Sequence, residues 1–218
     1  MTFYHRNLPH FQPKGATFFV TFRLSGSIPV KKLAELRKNY EIDLKNINFT
    51  SSKTNIYDNR FYDLQKLYFA KYDNLLDTGN YGPKWLSNND VANLVWNKIH
   101  SFNNSKYELI ALCIMPNHVH IVNMLNDELE VSQSNEKGKT KEYLLADVLR
   151  LIKGSSARES NKLLNRTGSF WQHESYDHVV RNEKELNKII LYVLNNPVKA
   201  GLVKDWKEWK WNYSLYNS

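Results

Sequence analysis

Two strongly apolar runs, YELIALCIM from Tyr107 and HVHIVNML from His118, stand on either side of Pro116-Asn117. Proline and asparagine favour a tight turn, so the tract reads as two consecutive strands. Both faces of each strand are largely apolar, which puts them at the centre of a sheet with helices packed on it. A third strand is expected over residues 16–24, ATFFVTFRL, where Phe18, Val20, Phe22 and Leu24 fall on one face.

The rest of the pattern is helical. VKKLAELRKNYEIDL and FYDLQKLYFAKYDNLL carry helical spacing, while 42–62 is polar and ambiguous and DTGNYGPKWLSNND reads as loop. Ser87 or Asn88 is positioned to cap a helix running to about residue 103 with Val91, Leu94, Val95 and Ile99 on its apolar stripe. A further helix carries Leu144, Leu145, Val148, Leu151 and Ile152, with Gly154 expected to end or kink it. The last helix is expected from Glu183 to Asn196, capped by Asn182, with Glu185 at the capping-box position and Pro197 as its stop. The order strand, helix, strand, strand, helix implies an α+β fold, an antiparallel sheet with helices packed on it. One domain spanning 1–218 is expected, with insertions near 40–80 and a mobile surface loop near 126–141.

Composition narrows the partners. Lys and Arg total 30 against 22 Asp and Glu, a net charge of +8 that favours a polyanion. Basic residues concentrate in the first forty positions, Arg23 among them, and in 137–166, where solvated faces are the plainer reading. No apolar stretch approaches a membrane span, and MTFYHRNLPH lacks the apolar segment of a secretory signal, so the expected setting is the cytoplasm. Cys113 is the single cysteine, which excludes an internal disulfide, and its apolar strand suits an inert core residue.

His118 and His120, two positions apart on a strand, point to the same face. Two buried imidazoles need partners, either a divalent metal or hydrogen bonds, and two ligands alone make no firm metal site. On the last helix, Leu186, Ile189, Ile190, Val193 and Leu194 gather on one side at about 100° per residue. Tyr192 lies opposite that stripe with Asn196 one turn below it and Lys188 on the same side. Taken alone, this is a surface or interface tyrosine. If the helix packs beside the histidine strand, two imidazoles, an amide oxygen and a phenol converge. Such a set suits phosphodiester cleavage, with the phenol attacking phosphorus. Ionising an ordinary phenol at pH 7 costs about 4 kcal/mol, which a metal or a cation such as Lys188 would reduce.

MPNHVHIV resembles the HUH motif of single-tyrosine nucleases. Together with YHRNLPHFQPKGATFFVTFRL, IKGSSARESN, FWQHESYDHVVRNEKE and YVLNNPVKAGLV, it resembles the REP-associated tyrosine transposases, relatives of the small insertion-sequence transposases. The resemblance covers most of the chain except about 40–80 and 126–141. It implies a ferredoxin-like (RRM-like) HUH nuclease fold and a metal-dependent nuclease and strand transferase. The substrate is single-stranded or hairpin DNA, the metal Mg2+ or Mn2+, and the assembly a monomer or homodimer. His118 and His120 match the metal-binding pair, Asn196 the third ligand and Tyr192 the nucleophile. Tyr176 is a rival nucleophile. Arg23, Lys153, Arg158, Arg181 and His178 are candidates for DNA contacts, and Phe170, Trp171 and Tyr176 for base stacking. The alternative is a domesticated hairpin-binding protein of the same fold that no longer transposes. A histidine-triad nucleotide hydrolase is set aside, because position 122 is Val where that motif needs another histidine.

Overall fold

The computed structural model describes residues 2–5, 9–12, 15–46, 59–78, 81–126 and 144–216. The chain divides into two compact units, one of residues 1–25 with 84–218 and one of residues 26–83.

The first unit is built on a five-stranded antiparallel sheet. Its strands are β3 (Thr17–Arg23), β4 (Tyr107–Ile114), β5 (His118–Leu125), β6 (Tyr176–Val179) and β7 (Asn212–Ser214), in the order β6-β3-β5-β4-β7. A separate hairpin pairs β1 (Thr2–His5) with β2 (Pro9–Gln12). The apolar strands read from the sequence are thus the three central ones, and the α+β expectation holds. β6 and β7 are short edge strands that the sequence pattern did not indicate.

The two faces of the sheet differ in chemistry. On one, Phe18, Val20, Phe22 and Leu24 of β3 join Leu112 and Ile114 of β4 and Val119 and Ile121 of β5 in the buried core. Helix α3 (Asn89–His100) supplies Val91, Ala92, Val95 and Ile99 to it, and α4 (Leu144–Leu163) supplies Leu145, Val148, Leu149 and Ile152. A register shift between Leu109 and Ala111 turns β4 over, so Tyr107 and Leu109 share that face with Leu112 and Ile114. The other face presents Phe19, Thr21 and Arg23 beside His118, His120 and Val122, paired in register. Helix α5 (Glu183–Lys199) packs there.

A local signal explains the start of α3. Asn88 caps α3 by accepting the backbone N–H groups of Asp90 and Val91 at 2.9 and 3.3 Å. Asn88→Ala should lower stability by about 1 kcal/mol, read as a shifted urea midpoint with unchanged slope. Three expectations about helix ends fail. α3 stops at His100, three residues early, where a turn takes over. α4 passes through Gly154 to Leu163, because its buried stripe outweighs the roughly 1 kcal/mol that an internal glycine costs. α5 runs past Pro197 to Lys199. Proline so near the end removes one helical bond, while Ala200 N–H still reaches Asn196 O at 2.9 Å, and burial holds the turn in place. Leu151, expected on the apolar stripe of α4, is 37% exposed.

The second unit consists of α1 (Val30–Asn46) and α2 (Asn59–Thr78). Tyr40 and Tyr68 meet at 4.7 Å between ring centroids, and burial together with the Tyr68 neighbour pushes the Tyr40 phenol up to about 12. The ends of this unit meet: a Cβ on Gly82, whose φ is +65°, would lie 2.1 Å from the Gly26 carbonyl oxygen. Only glycine fits. Residues 40–80, read from the sequence as inserted, fall within this unit, and residues 127–141 of the expected surface loop lie outside the described residues. No helix among the described residues is long and apolar enough to cross a membrane.

Candidate functional site

Antiparallel register sets His118 opposite Arg23 and His120 between Thr21 and Cys113. Both imidazoles are fully buried, and their Nε2 atoms face each other at 3.0 Å. The Nδ1 atoms turn away. His118 Nδ1 donates to the Asn117 side-chain oxygen at 2.6 Å, and His120 Nδ1 lies 2.7 Å from the Thr21 hydroxyl. A proton on His118 Nδ1 leaves a bare lone pair on Nε2, aimed at the partner ring. Burial, reinforced by the Lys199 charge, pushes His118 down to about 3. His120 is also held well below its ordinary range, first by burial, then by His118 and Lys199. Both rings are therefore neutral at pH 7, the form that ligates metals.

Two lone pairs that close together need a proton or a cation between them. Two metal–nitrogen bonds of about 2.1 Å at right angles put their donors about 3.0 Å apart, which matches the observed spacing. Asn196 supplies a second indication. It is fully buried, its Nδ2 lies 3.1 Å from His120 Nε2, and its Oδ1 has no hydrogen-bond partner. Turning the amide over brings that oxygen to the nitrogen's place, beside His120 Nε2. The donor set, two imidazole nitrogens and an amide oxygen, fits a divalent cation, and the Asn117 and Thr21 bonds hold the rings as outer-shell partners do in metal sites.

Tyr192 stands one turn before Asn196. Its ring meets Phe19 edge-on at 6.1 Å and His120 at 5.9 Å between centroids. The helix side read as non-core is thus partly buried against the polar sheet face. The cation that lies over the Tyr192 ring is Lys199, at 5.6 Å, rather than Lys188, which is exposed. Lys199 stands seven residues after Tyr192, about 20° from it around the helix, and that spacing was the available signal. Thr21 and Asn117 had subtler ones: a hydroxyl on the non-core side of an apolar strand, and an amide next to the first histidine.

Tyr176 opens β6, paired with Thr21 and so on the same sheet face as His120, with its ring 6.3 Å from Phe19. His178, also on β6, is buried with Nε2 at 3.3 Å from Glu185 Oε1. Glu185 does not close a capping box on Asn182, since its Oε2 accepts the Arg181 backbone N–H at 2.9 Å, while Asn182 accepts from Glu185 N–H. The DNA-contact candidates are not brought together. Arg23 is only 2% exposed, on the histidine face. Lys153 and Arg158 are on α4, against the opposite face, and Lys153 Nζ donates to His173 O and Ser175 Oγ at 2.8 and 3.1 Å. Arg181 is exposed before α5. Phe170 and Trp171 belong to the core, and Trp171 Nε1 donates to Ser156 Oγ at 2.9 Å. Cys113 is buried opposite His120.

The imidazoles' burial predicts a pH dependence. The unfolded chain takes up protons on both histidines near pH 6.5, whereas the fold resists until far lower pH. Stability of the metal-free protein should be full above that value and fall progressively as pH drops from about 6.5 towards 3, measured by urea midpoints across the range.

No family model matches the chain. A Haemophilus influenzae protein, provisionally named a REP-associated tyrosine transposase, is 27% identical over 108 residues, 49% of this chain and 58% of that protein. An uncharacterised protein of the same organism is 28% identical over 126 residues, 50% of this chain and 66% of its own length. The chain therefore covers less than two thirds of either relative. Among solved structures, a REP-associated tyrosine transposase bound to a REP hairpin superposes with a TM-score of 0.50 at 16% identity, covering 97% of this chain and 82% of that one. In sequence across about half of its length, and in fold across nearly all of it, this chain is similar to the REP-associated tyrosine transposases.

Proposed function

We propose that the chain is a metal-dependent nuclease and strand transferase acting on single-stranded or hairpin DNA, with Tyr192 as nucleophile. One observation carries the reading: α5 delivers a phenol and a buried amide to a pair of neutral imidazoles whose Nε2 atoms face each other at 3.0 Å. The similarity to a transposase solved with a REP hairpin supports DNA as the partner, as does the net charge of +8. Cytoplasmic action follows from that substrate.

His118 Nε2, His120 Nε2 and the Asn196 oxygen would hold Mg2+ or Mn2+. When bound, such a cation supplies Lewis-acid polarisation of a phosphate and neutralises charge on its oxygens. Asn117 and Thr21 keep the imidazoles oriented. The Tyr192 phenol oxygen attacks phosphorus and its proton passes to solvent, while the bond from phosphorus to the 3′ oxygen breaks and that oxygen takes up a proton from solvent to leave as a 3′ hydroxyl. A 5′-phosphotyrosine remains. Attack by another strand's 3′ hydroxyl reverses the exchange and restores the phenol, so the phosphodiester bond energy is conserved. Lys199 Nζ lies over the Tyr192 ring, 5.6 Å from its centroid. Lys153, Arg158 and Arg181 are proposed phosphate contacts outside this centre, and Arg23 and His178 support it from within.

The test is incubation with a panel of hairpin DNAs and Mn2+ or Mg2+, then a denaturing gel. A protein–DNA adduct that requires the metal is the expected result. Salt-sensitive hairpin binding without any adduct would instead favour a binding protein that has lost its chemistry.

A further inference from the structure

A helix is close to a cylinder, and its own hydrogen bonds do not fix how it is rotated on the surface beneath it. α5 carries both the phenol and the amide that reach His120, so its rotation decides whether either arrives. At about 100° per residue, Tyr192 lies about 20° to one side of Glu185 and Asn196 about 20° to the other, so all three form one row along the helix. Beneath the row the sheet offers His178, Phe19 and His120. Register pairs His178 with Phe19 and His120 with Thr21, so these side chains share a face, and the helix crosses β6, β3 and β5 on the diagonal.

At the start of that row Glu185 is tied at both oxygens. Oε1 is 3.3 Å from His178 Nε2 on the sheet, and Oε2 accepts the Arg181 N–H at 2.9 Å from the turn that leads into the helix. His178 and Glu185 are each 9% exposed. A buried carboxylate is costly to leave unsatisfied, so this directional tie resists rotation. The apolar contacts of Ile190, Val193 and Leu194 are not directional and tolerate more sliding. We propose that the His178–Glu185 contact is a rotational lock, a positioning pair that aims Tyr192 and Asn196 at His120. Its functional meaning rests on the reading of Tyr192 as nucleophile, but its geometry does not.

The test is proton NMR of the full chain with labelled histidine and tyrosine, following the cross-relaxation peak between the His120 and Tyr192 rings, whose centroids are 5.9 Å apart. The peak should persist in the wild type and in Glu185→Gln, which keeps an acceptor for Arg181 and a partner for His178. It should persist also in Asn182→Ala, which removes the cap on the Glu185 backbone N–H but leaves both bonds of the Glu185 carboxylate in place. It should drop to roughly half or less in Glu185→Leu and His178→Phe, which keep the volume and remove the bond. In the adduct assay the same two variants should lose about tenfold or more in rate. A full-strength peak in both Glu185→Leu and His178→Phe overturns the lock. So does an equal loss in Asn182→Ala, since any weakening of the helix start would then suffice. A wild type that shows the peak yet forms no adduct removes the nucleophile reading and leaves the lock standing.

Discussion

Tyr192→Phe should abolish the covalent protein–DNA adduct, a loss of about 10⁴-fold or more in strand cleavage, as expected when a nucleophile is removed. The substitution deletes one oxygen and keeps the ring, so the edge contacts with Phe19 and His120 survive. Hairpin affinity and thermal stability should stay close to wild type, which separates lost chemistry from lost structure. Tyr176→Phe is the matched control. Tyr176 and Tyr192 approach Phe19 to similar distances, 6.3 and 6.1 Å, but only Tyr192 shares a helix with Asn196. An adduct that survives in Tyr192→Phe and disappears in Tyr176→Phe would reverse the assignment.

Phe22→Ala should destabilise the first unit by about 3–5 kcal/mol. Phe22 is fully buried and meets Trp171 edge-on at 4.8 Å, and Trp171 is itself fixed by its bond to Ser156. The vacated volume is walled by a sheet and by the α4 side of the core, neither of which collapses easily. Urea denaturation followed by tryptophan fluorescence measures the loss. Leu191→Ala, at a side chain 60% exposed on α5, should change the same midpoint by no more than about 0.5 kcal/mol.

How much of this was legible follows from what hydrophobic patterning records. The three central strands were readable because both faces of each are buried, and the α3 cap was readable because Asn88 precedes a periodic apolar stripe. β6 was not. Its four residues, YDHV, mix polar and apolar groups and pair on one side only, with β3. The helical wheel located Tyr192 and Asn196 on one side of α5 and read that side as non-core, surface or interface unless the helix packs beside the histidine strand; Asn196 is fully buried. The sheet surface beneath is made of imidazoles, threonine and arginine, and a patterning argument reads polar groups as exposed even when they face one another. The same limitation hid the Glu185–His178 contact, which joins a helix start to an edge strand that the pattern did not reveal.

The pinch at Gly26 and Gly82 has a consequence for how this chain can vary. Because the excursion that holds α1 and α2 leaves and returns at one spot, its length can change without pulling on the strand before it or the helix after it. Closing a longer loop costs little additional entropy, about 0.6 kcal/mol per doubling. Variation in the length of this excursion is therefore cheap in entropy, provided that both glycines stay.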